Sequence, residues 1–249
     1  MRQIILAINA LLKFKAYTLI NVLGLACSLA CVLTVARYIH QENTVNQCFP
    51  EYKRICLIKT STSSGENFLG GYRSGLEKDP DVEQFTVIYQ ISDMPVLFGE
   101  QEIAANTFSV DSTFFKIFPY RVIAGSGRIV RPRDVVITRS FWKKKLGGKN
   151  AIGATFKNTK GNKFTIIGVV DDPDTKTSWM PDIFMSDELD EFLFFDPIYA
   201  MLMAPDTDIA LLNKKYSKEH PRSKWSTYET VRYQYLPLKD LYYDKDHGK

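Results

Sequence analysis

Ser140 and Lys143 stand at the S-x-x-K spacing with which serine acyl-enzymes set a lysine amine against a nucleophilic hydroxyl. That chemistry needs companions. The S-D-N and K-T-G elements that complete such sites are absent, and Lys176-Thr177-Ser178 comes nearest to the second. A serine that opens a helix ordinarily caps it, and Ser140 is assigned that role. The histidines, His40, His220 and His247, show no metal-ligand spacing with another ligand. Asp171, Asp172 and Asp174 lack the glycine and terminal glutamate of a calcium loop, and read as a turn and capping cluster. "GSGRIV" at 125–130 lacks a third glycine, and no Walker A loop occurs. An enzyme should show a constellation of such groups. None is visible, so no catalytic residue, cofactor or metal ligand is expected.

Charge excludes another class. The chain carries 32 basic and 28 acidic residues, a formal charge of +4, dispersed along 249 residues. No long basic face suggests nucleic acid. Lys143, Lys144 and Lys145 could meet lipid head groups or a partner, but read by default as a solvated helix face. With 45% hydrophobic and 24% charged residues the balance is that of a folded globular chain.

One segment breaks that balance. Residues 16–36, "AYTLINVLGLACSLACVLTVA", hold no charge and would make a helix of about 30 Å, the thickness of a bilayer's hydrocarbon core. Arg2, Lys13 and Lys15 precede it while only Arg37 follows before Glu42, which places the N-terminus in the cytoplasm. A cleaved signal peptide is the competing reading, since "LAC" at 25–27 and Ser28-Leu29-Ala30 resemble processing sites. The apolar run continues well past Cys27, which favours an uncleaved anchor. Gly24, Ala26, Ser28 and Ala30 are small and allow another helix to approach closely in lipid. Cys27 and Cys31, one turn apart, suit the same packing. Before the span, Ile4, Ile5, Ile8, Leu11 and Leu12 recur at helical spacing opposite Arg2, Asn9 and Lys13. Residues 1–15 are therefore expected to form a helix in the membrane interface, with the span at 16–39.

Beyond residue 40 the pattern becomes that of a soluble α+β domain. Strands are predicted at 53–60, 82–91, 134–138 and 229–236, and helices at 69–78, 139–148 and 206–218. Asp111 or Ser112 caps a short helix that Pro119 closes. The segment 155–172 reads as a hairpin turning at Lys160-Gly161-Asn162. "IFMS" and "FLFFDPIYAMLM" read as core. Two subdomains fit: an outer strand and helix layer at about 50–92 and 180–240, with a strand-rich insert at about 93–179. Cys48 and Cys56 lie outside the span and could pair in an oxidising compartment, but Cys56 falls in a strand-like run, which favours two free thiols.

Five segments, in order, resemble the MacB/FtsX-like ABC transporter permeases. They are "FKAYTLINVLGLACSLACVL", "GLEKDPDVEQF", "SVDSTFFKIFPYRVIAG", "DVVITRSFWKKKLGGKNAIGATF" continuing to "KFTIIGVVDDPDTKTS", and "YQYLPLKDLYYDKDHG". The chain departs from the family pattern at Cys48, Cys56, Trp142 and Leu146, and matches poorly over 186–228. The resemblance implies an extracytoplasmic core domain held between the first two of four spans. It makes the chain the N-terminal part of a permease in the bacterial inner membrane, with the main domain periplasmic. The partners implied are membrane lipid, a separate cytoplasmic ABC ATPase, a second permease copy or half, and a periplasmic adaptor or outer-membrane channel. ATP hydrolysis would be coupled through the span to export or to other extracytoplasmic mechanical work. The alternative is a single-span, membrane-anchored sensor or binding module unrelated to transport.

Overall fold

The computed structural model describes residues 13–63, 65, 67–71, 75–148, 150–186, 197–216, 218, 220–221 and 230–244. The expected interfacial helix at 1–15 lies almost wholly outside these residues, as does "FLFF" at 192–195. The chain divides into two compact units, Met1–Thr44 and Val45–Lys249.

In the first unit, helix α1 spans Lys15–Asn43 and reaches a mean hydropathy of 2.3 over its most apolar 18-residue window, with none of that window buried. It runs past the expected limit of residue 39. Two of its hydroxyls are spent on its own backbone: Ser28 Oγ donates to Gly24 O at 2.8 Å and Thr34 Oγ1 to Ala30 O at 2.7 Å. This is the arrangement that lets a hydroxyl sit in an apolar solvent.

The second unit is built on one sheet of described strands: β1 (Ile55–Thr62), β2 (Asn67–Leu69), β3 (Val82–Phe98), β4 (Gln101–Val110), β5 (Val122–Gly125), β6 (Asp134–Thr138), β7 (Thr155–Asn158), β8 (Lys163–Val170), β9 (Ile183–Ser186), β10 (Ile198–Met203), β11 (His220–Pro221) and β12 (Thr230–Pro237). The order is β11-β12-β1-β10-β3-β4-β9-β6-β8-β5, with β2 on β1 and β7 bridging β3 and β8. Pairing is antiparallel except for β4 with β9 and β6 with β8. Strand β9 lies between β4 and β6 and is buried along its whole length, which accounts for the unbroken apolar run "IFM". Strand β3 crosses residues 92 and 93 without leaving the sheet, bulging between Ile91 and Met94 where Asp93 takes φ 50°.

Helix α2 (Phe114–Ile117) follows Asp111, whose Oδ1 accepts from the Thr113 and Phe114 amides at 2.8 and 3.1 Å, as expected. Helix α3 (Arg139–Lys145) packs on β6 and β8, and α4 (Ile209–Tyr216) on β12. Two expectations are corrected. The cap of α3 is Thr138, whose Oγ1 accepts from the Phe141 amide, and not Ser140. The helix expected at 69–78 is absent among the described residues: β2 ends at Leu69 and only a 3-10 turn, Leu76–Lys78, follows. Gly70 and Gly71, at φ 121° and 94°, turn the chain out of helical space, and a β-carbon at either would strike Pro197 O or Thr60 Oγ1.

The largest core cluster joins Phe108, Phe114, Phe118, Trp179 and Phe184 to Ile55, Leu57 and Leu241. Its rings meet mostly edge to face, as Phe118 does with Trp179 at 5.6 Å between centroids.

Candidate functional site

Immediately after α1 the chain goes into the core: Val45 is 2% exposed, Asn46 0% and Phe49 5%. Phe49 packs edge-on to Phe118 at 5.0 Å and Tyr120 at 5.6 Å, anchoring the segment apolarly. Asn46 anchors it polarly. Its backbone is left-handed, φ 63°, a conformation that asparagine tolerates better than other residues with a β-carbon. Its amide N–H donates to Lys176 O at 2.9 Å. Its Nδ2 donates to Ser178 Oγ at 2.8 Å and Leu238 O at 3.0 Å. Its Oδ1 accepts from the Ser178 N–H at 2.7 Å and the Thr177 hydroxyl at 3.1 Å. Both amide protons and both carbonyl lone pairs are thus used, and three separate segments meet on one side chain.

The third of those segments is the 3-10 helix Leu238–Tyr243 that follows β12, with Leu238 and Leu241 buried. Two further contacts hold it. Lys176 Nζ donates to the Tyr242 hydroxyl at 2.6 Å, and Lys59 Nζ meets both carboxylate oxygens of Asp244 at 2.8 and 2.7 Å with each side chain only 12% exposed. The residues where the chain enters the domain and those where it leaves the sheet are therefore fastened to the same loop, Asp171–Trp179. Trp179 carries that loop into the aromatic core, and its amide donates to Thr177 Oγ1 at 3.2 Å.

Beside the junction lies a cavity of about 250 Å³ lined by Cys48, Phe49, Tyr120, Arg121, Asp171 and Asp174. Two of its charges are paired, since Asp171 meets Arg121 and, outside the lining, Arg139 Nε at 3.0 Å. The hydrogen bond from Arg121 holds the Asp171 carboxyl below the ordinary range and pushes the Arg121 guanidinium up. Burial pushes the Cys48 thiol and the Tyr120 hydroxyl up, and pushes the Cys56 thiol to about 12. Cys48 and Cys56 are free thiols.

The sequence-predicted packing residues Gly24, Ala26, Ser28 and Ala30 all lie exposed on α1. At about 100° per residue, Gly24 and Ser28 share one face, with Cys27 and Cys31 beside them, while Ala26 and Ala30 lie on the far side. Of the residues considered for catalysis, Ser140 donates its hydroxyl to Asp172 Oδ2 at 2.9 Å and Lys143 is exposed with its neighbours Lys144 and Lys145. His40 is exposed on α1, His220 lies in β11 and His247 is outside the described residues. Among the described residues no group of three or more His, Cys, Asp or Glu is placed to hold a metal. Asn46 was missed. The available signal was an asparagine just beyond a helix end, where a left-handed residue is common.

No curated protein matches the chain. Several solved structures share its fold, two of them as follows. A domain of a protein from Porphyromonas gingivalis described as a permease is 19% identical, with a TM-score of 0.60 over 76% of this chain and 92% of that one. The periplasmic region of MacB from Actinobacillus actinomycetemcomitans is 15% identical, with a TM-score of 0.53 over 69% of this chain and 83% of that one. The model of the MacB-like periplasmic core domain matches residues 18–215. With four-fifths of its length matched, from inside α1 to the end of α4, the chain belongs to the MacB-like periplasmic core domain family of ABC-type transporter permeases.

Proposed function

We propose that this chain is the membrane-anchored N-terminal part of an ABC permease whose outer domain is driven mechanically by a cytoplasmic ATPase. The observation that carries this reading is the Asn46 junction. A displacement of the residues that follow α1 cannot be absorbed by a loose linker, because Val45, Asn46 and Phe49 are locked into the core. Packed interfaces shift between discrete arrangements more readily than they stretch, so a movement at Asn46 passes to the Asp171–Trp179 loop and to the 3-10 helix together. In this reading the N-terminus is cytoplasmic, the domain is periplasmic, and α1 docks through a small-residue face on other membrane helices, including those of a second permease copy.

The test places spin labels on the exposed positions Met180 and Lys239 of the full permease, reconstituted with its ATPase in nanodiscs. Distances between the two copies should change when the ATPase is trapped with nucleotide, and Asn46→Ala should abolish the change while ATP turnover persists. Distances unaltered by nucleotide in the native permease would refute the proposal and leave the anchored sensor.

A further inference from the structure

We propose that the β7–β8 hairpin presents a docking face for an acidic segment of a partner protein. Lys157 and Lys163 are directly opposed across the hairpin. The neighbouring pair is bonded through Asn158 N–H to Asn162 O, which makes the lysine pair one of the non-hydrogen-bonded type, with β-carbons about 5 Å apart. Like charges so opposed destabilise a sheet. Lys160 stands at the turn, and Arg133, exposed, is joined to the hairpin by its carbonyl, which accepts from the Thr165 amide at 2.9 Å. Arg131 is exposed on the same loop.

No described acidic side chain forms an ion pair with any of these five cations, although Asp134 lies beside Arg131 and Arg133 and its Oδ2 accepts from the Arg131 N–H at 3.2 Å. Glu102 faces the same side of the sheet, but it opposes Leu97, which in turn opposes Lys157, so a strand separates the charges by about 10 Å. Five cations that the neighbouring Asp134 carboxylate alone does not balance, around a hairpin that is weakened by its own charge pair, call for an anionic complement. Two anionic sources are available, a protein and a lipid head group, and position favours the protein. Strand β8 carries the chain about 23 Å from Lys163 to the loop that holds Asn46, so the basic end is remote from where the chain enters the domain. Bidentate geometry is not required of lysines, which suits a flexible run of aspartate and glutamate.

The test uses the full chain in neutral phosphatidylcholine nanodiscs, with fluorescent deca-glutamate as the probe at about 50 mM salt. Replacing Lys157, Lys160 and Lys163 by Gln should weaken binding by about tenfold or more. The same removal of three charges at Lys143, Lys144 and Lys145 should change it by less than about twofold. Equal losses from both sets, or no loss from the first, would overturn the proposal. So would a native protein that binds phosphatidylglycerol vesicles and not the peptide. As an independent check, Lys163→Thr should raise Tm by roughly 1–3 °C by relieving the opposed pair, and a lowered or unchanged Tm would contradict its role as a retained cost.

Discussion

Along α1 no residue is buried and the Ser28 and Thr34 hydroxyls turn back onto its own carbonyls, whereas Asn46, a few positions further on, has no exposed surface and ties three segments together. Both stretches contain small and polar residues, yet the physical question each answers differs. A span answers to its solvent, so composition and length decide it residue by residue. A junction answers to particular partners, and it exists only when Lys176, Ser178 and Leu238 arrive from distant parts of the chain. The contrast predicts where substitution should hurt.

Asn46→Ala should have the largest effect. It leaves the Ser178 N–H and the Leu238 carbonyl without their partner in the interior and forces a β-branched-free but still hindered residue into left-handed backbone. Together these should cost about 3 kcal/mol, a fall in Tm of roughly 10 °C. Asn46→Gly separates the two causes, since it keeps the backbone and loses only the side chain; it should recover about 1 kcal/mol. A thermal melt followed by circular dichroism that shifts by less than about 2 °C for Asn46→Ala would erase the contrast between the junction and the span.

Lys59→Met should come next. Lys59 and Asp244 are nearly buried, so removing the ammonium strands a carboxylate and should cost about 2 kcal/mol. The double change Lys59→Met with Asp244→Leu should regain most of it, because the pair's desolvation disappears with its attraction. Asp171 should matter less and only in acid. Its carboxyl is held below the ordinary value of about 3.9, so it favours the fold above about pH 4 and loses that contribution as pH falls through the lowered value. Asp171→Asn should therefore flatten the acid limb of a stability-against-pH curve and leave its slope near neutrality unchanged.

What the sequence disclosed follows the same line. The long apolar helix, the 160–162 turn and the strands at 55–62, 134–138 and 230–237 answer to local pattern, and the pattern was sufficient. The helix expected at 69–78 failed because its apolar spacing was outweighed by three glycines at positive φ, Gly70, Gly71 and Gly75, of which the first two bring the chain against Pro197 and Thr60. The cap of α3 slipped from Ser140 to Thr138 because Asp172, remote in sequence, claims the Ser140 hydroxyl. The order of strands and the bonds of Asn46 have no local signature at all. Five ordered motifs conveyed the family, and through it the fold, where periodicity alone could not.

The smallest expected effect is on α1, and it sharpens the comparison from the other side. Nothing lies within 4 Å of a β-carbon placed on Gly24, so Gly24→Leu meets no obstacle, gains helix propensity and raises the hydropathy of the span. Domain stability should move by less than about 0.5 kcal/mol, against about 3 kcal/mol at Asn46. What the substitution should remove is close approach by another helix. Cys27 and Cys31 lie beside Gly24 and Ser28, so mild oxidation of the native chain in a bilayer should yield a disulfide-linked pair through that face, read on a non-reducing gel. Gly24→Leu should lower that yield severalfold while Ala26→Leu, on the far side, should leave it unchanged. Equal loss from both would mean that α1 presents no preferred face to its neighbours.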